Sequence, residues 1–595
     1  MTCVLHAAVV LGTILLATVP FLDKAFHIDD YYYLQVARHM LQDPLRPYDF
    51  TWIAEGREVD VFSNDWAPPF FKYVLALGLL AFGESEVLLH FIMSVFTAVL
   101  GISTYSLALR FTSRPLMATT LVLLNPIFVP GQNLMVDTPM LALGMAGLAC
   151  HIWGTDRGSR LLVMLGWLFA GLAVVTKYPA MIVFLLMLMY SKLNGKVLLG
   201  PAVGVAFVPM AVWWTQNMLV HGELHFLSPL SSDTTLNWLQ WCQRLFSVIT
   251  IVGSGFFPLL AVPRLHIPRA WHALALTASI PMAVAWQVVQ KQTIGWQGFQ
   301  HAIFLAGGLF LLISSLRVGL LTTNKADGVS QADRRFLVFW LHLGWIMALI
   351  APFIAVRHVL WVLPPAALVV AKSLPHLNRW DGWPRAVVST ICVLGLSVGF
   401  ADKELAKLSR DIAIKTAISY RTYQPHVFFM GEDGFAYYCA VSGIHALRND
   451  TELPSGASFV VTSASTAWGL TPELRSRLNP LATLRYKGQF PMTTMSPGVN
   501  FYRTGTSDLP WEAGRPTEVY TTIYAAQGVT RKSKATEFDR RARDCNDHVC
   551  FHHRSGSNRP EAHCGFGWQS GAPRPVNPPR LKRYRDQRRG LDLGS

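Results

Sequence analysis

Long apolar runs separated by short polar segments make up the chain as far as residue 402. Residues 4–22 are long enough to cross a bilayer, and their weakly basic flank and the lack of a small-residue cleavage site favour a retained helix over a signal peptide. Residues 69–83 are apolar but short and carry Lys72, which predicts an interfacial or re-entrant helix. The remaining runs bring the predicted spans to about 13: 86–109, 115–130, 138–153, 161–176, 179–192, 197–219, 243–263, 270–289, 298–316, 335–354, 358–371 and 386–402.

Positive charge alternates along the polar loops, because every second loop is basic while the loops between them carry the acids. Cytoplasmic loops of membrane proteins are enriched in lysine and arginine. The pattern therefore predicts a cytoplasmic N-terminus, acidic loops outside and an outside location for the chain after about residue 403. The basic loops hold Arg110, Arg114, Arg157, Arg160, Lys192, Lys196, Arg264, Arg269, Arg317, Lys325, Arg334, Arg335, Lys372, Arg379 and Arg385.

The pattern changes after residue 402. Residues 403–511 alternate short β-like runs with helical stretches, which predicts a small soluble α/β domain outside the membrane. Its GEDGFAYYCAVSG stretch could bind sugar or could pack as ordinary structure. Residues 512–595 are rich in arginine, proline and glycine and are predicted to be disordered. The spacing of their cysteines and histidines fits no standard zinc finger: Cys545, Cys550, His552, His553, His563 and Cys564.

Composition agrees with a membrane protein. The 595 residues are 52% hydrophobic and 15% charged, with mean hydropathy +0.32, against roughly 25% charged residues in soluble domains. The net charge of +15 does not indicate a nucleic-acid partner, since the basic residues lie in short loops. The predicted fold is a mainly α, polytopic membrane protein with interfacial helices in its first external loop and a small external α/β domain. Compact cytoplasmic loops favour a bacterial inner membrane, with the site facing the periplasm or exterior.

Candidate chemistry begins directly after the first span, in the segment HIDDYYYLQVARHM at residues 27–40. Asp29 and Asp30 precede apolar positions at helical spacing, so the segment predicts a short surface helix whose N-terminal dipole favours carboxylates. Nearby aromatic side chains are of the kind that settle at a bilayer interface: Tyr31, Tyr32, Tyr33 and Trp52.

Further charged residues are predicted on the same membrane face. Asp65 and Asp137 lie in outer loops, although a single solvated loop acid would look the same. Lys177 ends a span at the acidic layer, where snorkelling would also explain it. Arg357 and His358 form a candidate cationic pair, which could hold a phosphate. Together these residues suggest a membrane-surface site where carboxylates meet an anionic lipid head group.

The order of these pieces resembles the type C glycosyltransferases that use polyprenyl-phosphate-linked sugars, related to the protein O-mannosyltransferases and the aminoarabinose transferase of lipid A. The matching pieces are HIDDYYYLQVARHM, the Pro-Pro segment before FFKYVLALGLLAFG, VDTPMLAL, GLAVVTKYPA and RHVLWVLPP, over about residues 5–402. Two departures stand out. Trp66 and Ala67 replace a Glu-Lys pair before the Pro-Pro segment, which leaves Asp65 as an offset substitute, and His358 replaces a tyrosine.

The resemblance implies an inverting transfer in which Asp29 acts as general base on the acceptor hydroxyl. Asp30 could exchange roles with Asp29, and Asp137 would be the second acid. Lys177 and Arg357 would stabilise the departing phosphate. The remaining implied contacts are His358 for the donor phosphate, and Asp65, Tyr32 and Tyr178 for the acceptor or the donor.

The implied partners are a polyprenyl-phosphate-linked sugar donor, membrane lipid and an acceptor that is a lipid, a glycan or a protein. No cofactor is expected, although Asp29 with Asp137 could hold Mg²⁺ or Mn²⁺ as hard oxygen ligands. The alternatives are a transporter or flippase and an inactive scaffold. Transporters usually place their site at the bilayer midplane within symmetric repeats, whereas these acids cluster near one surface and the sequence has no internal repeat.

Overall fold

Helices dominate the structure, a computed structural model of the chain. It describes residues 2–54, 56–195, 200–227, 236–261, 269–289, 295–320, 330–373, 382–423, 426–431, 433–447, 453, 459–463, 470–503 and 508–526. The helices are α1 (Thr2–Thr18), α2 (Asp30–Gln42), α3 (Val61–Asn64), α4 (Phe70–Phe82), α5 (Glu86–Phe111), α6 (Pro115–Leu123), α7 (Asp137–Arg157), α8 (Arg160–Val174), α9 (Ile182–Leu193), α10 (Gly200–Val220), α11 (Trp238–Phe256), α12 (Arg269–Val289), α13 (Trp296–Leu320), α14 (Gln331–Leu349), α15 (Leu363–Ser373), α16 (Gly382–Ser419), α17 (Gly434–Val441) and α18 (Pro472–Ser476).

Short strands complete the described chain. They are β1 (Thr51–Ala54), β2 (Arg57–Asp60), β3 (Val427–Met430), β4 (His445–Ala446), β5 (Phe459–Ser463), β6 (Leu478–Lys487), β7 (Met492–Thr493), β8 (Met495–Ser496), β9 (Val499–Asn500), β10 (Glu512–Ala513) and β11 (Glu518–Ala526). Strands β1 and β2 form an antiparallel hairpin in the loop that follows α2.

Six helical segments within the described residues are long and apolar enough to cross a membrane. This supports an integral membrane protein, while the number of 13 spans stays a prediction. Several predicted spans are shorter helices, such as α4 with 13 residues and α8 with 15. The six segments are Cys3–Phe21, Glu86–Phe111, Gly200–Val220, Trp238–Ala261, Trp296–Ser315 and Pro384–Ser419.

Two predicted helix boundaries are wrong. The predicted span 115–130 is helical only to Leu123, because Pro126 disfavours helical backbone at the residue before it. The predicted span 386–402 ends too early, since α16 runs through 38 residues to Ser419. No glycine or proline interrupts residues 400–419, and buried side chains recur at helical spacing at Asp402, Leu405, Ala406, Ser409, Ile412, Ala413, Thr416 and Ala417.

The C-terminal part contains a five-stranded sheet in the order β4-β3-β5-β11-β6. Strand β3 is parallel to β4 and β5, whereas β11 is antiparallel to β5 and β6. The prediction that disorder begins at residue 512 is therefore wrong for Glu512–Ala526. Its EVYTTIYAA segment is rich in β-branched and aromatic residues, which favours a strand. Residues 527–595, with the candidate zinc ligands, lie outside the described part of the chain.

Residues 492–503 and 508–513 pack on the helices α13 and α16. A shared apolar cluster joins them to α13 and α16, and the side chain of Gln300 on α13 donates to the Trp511 carbonyl oxygen at 2.9 Å. Apolar packing therefore continues across the predicted domain boundary at residue 402. The cluster contains Phe304, Val398, Ala401, Met492, Val499, Leu509 and Trp511.

Helices α7 and α8 pack through facing glycines. A Cβ atom on Gly147 would lie 2.9 Å from the Gly166 carbonyl oxygen, and one on Gly166 would lie 2.8 Å from that of Gly147. Small residues allow helix backbones to approach this closely. The contact matters for the site because α7 begins at Asp137 and Lys177 follows the end of α8.

Candidate active site

The turn between α1 and α2 directs two adjacent carboxylates in different directions. Ile28 has φ +48° and is the one non-glycine residue with positive φ in the described chain. A β-branched residue rarely adopts this backbone conformation. Strain of this kind persists where the surrounding structure imposes it, often at functional sites. After this turn the Asp29 side chain remains 39% exposed, while Asp30 is completely buried.

Asp30 accepts hydrogen bonds from two separate backbone segments. The His27 N–H donates to Oδ2 at 2.7 Å, and the Leu134 N–H donates to Oδ1 at 2.8 Å. Burial raises the pKa of Asp30 to about 7. Asp30 therefore links the turn that contains Asp29 to the segment before α7 by hydrogen bonds. The two acids differ in their partners, since Asp29 pairs with Arg357 whereas Asp30 accepts from backbone N–H groups, and this geometry favours Asp29 over Asp30 as the base.

Two ion pairs gather four of the charged residues that the sequence singled out. Arg357 lies in a 3-10 turn after α14, and its Nη1 donates to Asp29 Oδ2 at 3.1 Å. Lys177 Nζ donates to Asp137 Oδ1 at 2.6 Å. Burial alone would raise the pKa of Asp137, but Lys177 and Arg357 lower it below its usual range. The two pairs therefore interact and form one charged site.

Three polar atoms at this site are buried and have no hydrogen-bond partner among the described residues: Asp137 Oδ2, Arg357 Nε and His358 Nδ1. Burial, with Lys177 and Arg357 nearby, lowers the pKa of His358 to about 3. His358 is therefore neutral at pH 7, so the predicted cationic pair is one cation and one hydrogen-bonding imidazole. Buried polar atoms usually have partners, so this cluster has hydrogen-bonding capacity for a polar ligand.

Asp65 lies in a neighbouring buried cluster and not in a solvated loop. It is 7% exposed and forms an ion pair with the fully buried Lys72. The Tyr32 hydroxyl also donates to Asp65 Oδ2 at 2.5 Å. Lys72 is further held by the Tyr48 hydroxyl at 2.5 Å and the Ala67 carbonyl oxygen at 2.7 Å. The sequence analysis missed Lys72 as the partner of Asp65, although a lysine in a short apolar helix signals a buried contact.

Tyr178 extends this second cluster towards the ion pairs, since it directly follows Lys177. Its hydroxyl lies 2.8 Å from His225 Nδ1 and accepts a hydrogen bond from Trp213 Nε1 at 3.1 Å. Burial lowers the pKa of His225 to about 4, so the imidazole is neutral and shares one hydrogen bond with the tyrosine hydroxyl. Neither His225 nor Trp213 carries a sequence signal that separates it from an ordinary interfacial aromatic residue.

Tyr33 lies between the two clusters. Its ring faces Lys72 Nζ at 5.6 Å, and burial, followed by the charges of Asp65, Asp29 and Asp137, raises its pKa well above the usual value. The candidate active site therefore has a charged part around Asp29 and an aromatic part around Asp65. Within the described residues, no group of three or more histidine, cysteine, aspartate or glutamate side chains could hold a metal ion.

Comparison with known proteins identifies similar structures but no sequence family. No family model matches the chain, and no curated protein matches its sequence. A solved structure of ArnT from Cupriavidus metallidurans bound to undecaprenyl phosphate matches with 16% identity, 89% of this chain, 98% of that chain and a TM-score of 0.42. The Archaeoglobus fulgidus oligosaccharyltransferase tethered with an acceptor peptide matches with 11% identity, 80% of this chain, 72% of that chain and a TM-score of 0.45.

The arabinosyltransferase EmbB from Mycobacterium smegmatis matches with 15% identity, 76% of this chain, 44% of that chain and a TM-score of 0.29. These structural neighbours are type C glycosyltransferases, the group that the motif order of the sequence resembles. At these TM-scores the matches assign no role to any residue, and the argument for function rests on the site itself. The protein is thus similar in structure to type C membrane glycosyltransferases.

Proposed function

We propose that the protein is a membrane glycosyltransferase that moves a sugar from a polyprenyl monophosphate donor to an acceptor hydroxyl at the membrane surface. The observation that carries the proposal is the meeting of the Asp29–Arg357 and Asp137–Lys177 pairs from four separate segments. Two cations suit a phosphate monoester or diester, and the partly exposed carboxylate suits a general base. The motif order of the sequence supports the same function.

In the proposed reaction the acceptor oxygen attacks the anomeric carbon from the face opposite the phosphate, with inversion. The bond between that carbon and the phosphate oxygen breaks, and its electron pair stays on the polyprenyl phosphate. Asp29 takes the hydroxyl proton. Arg357 and Lys177 stabilise the growing phosphate charge. Asp29 pairs with Arg357, and in the proposed reaction the donor phosphate replaces Asp29 as the partner of Arg357 and leaves the carboxylate free for the acceptor.

The neighbouring groups have supporting roles in this proposal. Asp137 orients Lys177, and the neutral imidazole of His358 lies beside the donor phosphate. Tyr32 and Tyr178 lie on the aromatic side of the site, where they contact the sugar or the acceptor. The acceptor is a lipid, a glycan or a protein, and the site faces the periplasm or exterior of a bacterial inner membrane.

Sugar transfer from a panel of radiolabelled polyprenyl-phosphate sugars by the purified protein tests the proposal. Asp29→Asn is expected to abolish transfer, because it removes the base, while the protein remains folded. Lys177→Ala is expected chiefly to raise the KM for the donor. Asp49→Asn is the matched control, since Asp49 lies in the same loop, is exposed and pairs with Arg46.

Equal transfer by wild type and Asp29→Asn contradicts the catalytic assignment. No transfer with any donor, together with substrate transport in vesicles, contradicts the glycosyltransferase and favours a carrier. Parallel assays in EDTA and in MgCl₂ measure whether a divalent cation takes part.

A further inference from the structure

Four distant segments of the chain meet at Asp402, which is completely buried within α16. Lys24 Nζ donates to Asp402 Oδ2 at 2.5 Å, and the Tyr502 hydroxyl donates to the same oxygen at 2.5 Å. The Thr494 hydroxyl donates to Oδ1 at 2.7 Å. The Asn133 amide donates to the Tyr502 hydroxyl at 2.8 Å and accepts from Lys24 at 2.5 Å. We call Lys24, Asn133, Asp402, Thr494 and Tyr502 the Asp402 cluster.

The five side chains of the Asp402 cluster satisfy one another, while His27 Nε2, 3.8 Å from Asp402 Oδ1, has no hydrogen-bond partner among the described residues. Lys24 has three acceptors, namely Asp402, Asn133 and the Pro130 carbonyl oxygen at 3.1 Å. Both oxygens of Asp402 accept hydrogen bonds. The cluster therefore has little capacity for a ligand, unlike the charged site with its three open atoms. A buried ion pair does not by itself show a gain in stability. The role of the Asp402 cluster therefore depends on which chain segments it joins.

Each of these segments leads to a residue of the charged site. Lys24 lies five residues before Asp29, and Asn133 lies four residues before Asp137. Tyr502 follows Phe501, whose carbonyl oxygen accepts the N–H of Val356 at 3.2 Å. Val356 directly precedes Arg357. The Asp402 cluster is thus connected by short pieces of chain to three of the four ion-pair residues.

We propose that Tyr502 and Asp402 are positioning residues that set the relative placement of Asp29, Asp137 and Arg357. The inference deepens the proposed function, and its meaning for catalysis rests on that function. It gives the C-terminal segment around Tyr502 a part in the transfer site, although this segment lies about 100 residues beyond the predicted membrane domain. No side chain of the cluster contacts substrate in this proposal.

Tyr502→Phe tests the inference, because it removes one hydroxyl group and leaves the ring in place. Tyr524→Phe is the matched control, since Tyr524 is a buried tyrosine of the same C-terminal region in a separate apolar cluster. Thr494→Val is a second variant of the Asp402 cluster that retains the Lys24–Asp402 pair. Hydrogen–deuterium exchange of the full-length protein in detergent then reports on residues 26–30, 131–137 and 355–358.

We expect Tyr502→Phe and Thr494→Val to increase exchange in these three segments and Tyr524→Phe to leave it unchanged. We also expect Tyr502→Phe to raise the Kd for undecaprenyl phosphate about tenfold, because buried donors and acceptors lose their partner. In an Arg357→Lys background, Tyr502→Phe is expected to raise the Kd by a smaller factor. The effects of two substitutions on the binding free energy do not add when both residues act through the same group.

Unchanged exchange in all three segments with Tyr502→Phe overturns the inference, as does an equal increase with Tyr524→Phe. Full additivity of Tyr502→Phe and Arg357→Lys also overturns it. Failure of the wild type to bind undecaprenyl phosphate would instead count against the proposed function. The exchange measurement does not depend on that binding, so it still decides whether Tyr502 positions the site.

Discussion

At the scale of single residues, burial and backbone direction give different properties to neighbouring carboxylates. Asp29 is partly exposed and faces Arg357, whereas Asp30 is buried against two backbone N–H groups. The left-handed backbone at Ile28 separates them. Adjacent acids in a sequence are therefore not interchangeable in this site, and Asp30 has a measurable signature of its own.

The pH dependence of stability is the signature of Asp30. Its pKa is raised from 3.8 to about 7, so the folded protein holds a proton that the unfolded chain has lost between these values. Stability contributed by the protonated acid is therefore lost as the pH rises from about 4 to about 7. The shift corresponds to an upper bound on the order of 4 kcal/mol.

Asp30→Asn is expected to remove this downward slope, measured as the unfolding free energy of the protein in detergent between pH 4 and pH 8. Asp49→Asn, at an exposed acid of the same loop, serves as the control and is expected to retain the slope of the wild type. If the unfolding free energies of the wild type and Asp30→Asn change with pH in parallel, the slope does not come from Asp30.

At the scale of elements, the packing of α7 on α8 determines whether Asp137 meets Lys177. The two residues lie at corresponding ends of these helices, and their 2.6 Å contact needs the close approach at Gly147 and Gly166. The site is therefore sensitive to substitutions deep between the helices and far from any charged group.

Gly166→Leu is expected to lower stability by about 1–3 kcal/mol, because its side chain would meet the Gly147 carbonyl oxygen and the His151 backbone. It is also expected to weaken undecaprenyl phosphate binding by moving Asp137 away from Lys177. Thermal unfolding and lipid binding in detergent measure the two effects.

Gly204→Leu on α10 is the control, since among the described residues no heavy atom outside the backbone of its own helix lies within 4 Å of a Cβ at Gly204. If Gly166→Leu is as stable as Gly204→Leu, the helices do not need the glycine contact. If it loses stability but binds lipid like the wild type, α7 and α8 do not set the Asp137–Lys177 distance.

At the scale of the whole molecule, separate groups of ion pairs lie at the two ends of α7. Asp137 is at its start, while Asp156 near its end pairs with Arg110 at 2.6 Å, and Arg110 also pairs with Asp333 at 3.0 Å. A helix of 21 residues is about 30 Å long, which is close to the thickness of the bilayer core. The candidate site and the basic loop around Arg110 thus lie one membrane thickness apart.

Cysteine labelling from outside the cell tests the predicted topology. In a background without the native cysteines, Asn64→Cys and Ser419→Cys are expected to react with a membrane-impermeant maleimide, because both positions belong to the predicted outer face and are exposed. Ser113→Cys, in the basic loop with Arg110 and Arg114, is expected to be protected. Protection of the first two positions with labelling of the third would invert the topology.

The sequence alone was sufficient for properties that depend on local pattern. Apolar runs identified a membrane protein, and the order of charged motifs selected Asp29, Asp137, Lys177 and Arg357, which the structure brings together. Hydropathy and residue type act within a short stretch of chain, so local pattern alone could indicate the membrane helices and single out these charged residues.

Only the tertiary structure decided the partners. Lys72 with Asp65, Lys24 with Asp402 and Phe501 beside the Arg357 turn are contacts between segments that no local pattern connects. The neutral state of His358 and the burial of Asp30 also depend on neighbours from distant segments. Desolvation and ion pairing are set by the three-dimensional surroundings of a group, so these properties follow from packing and not from the order of residues.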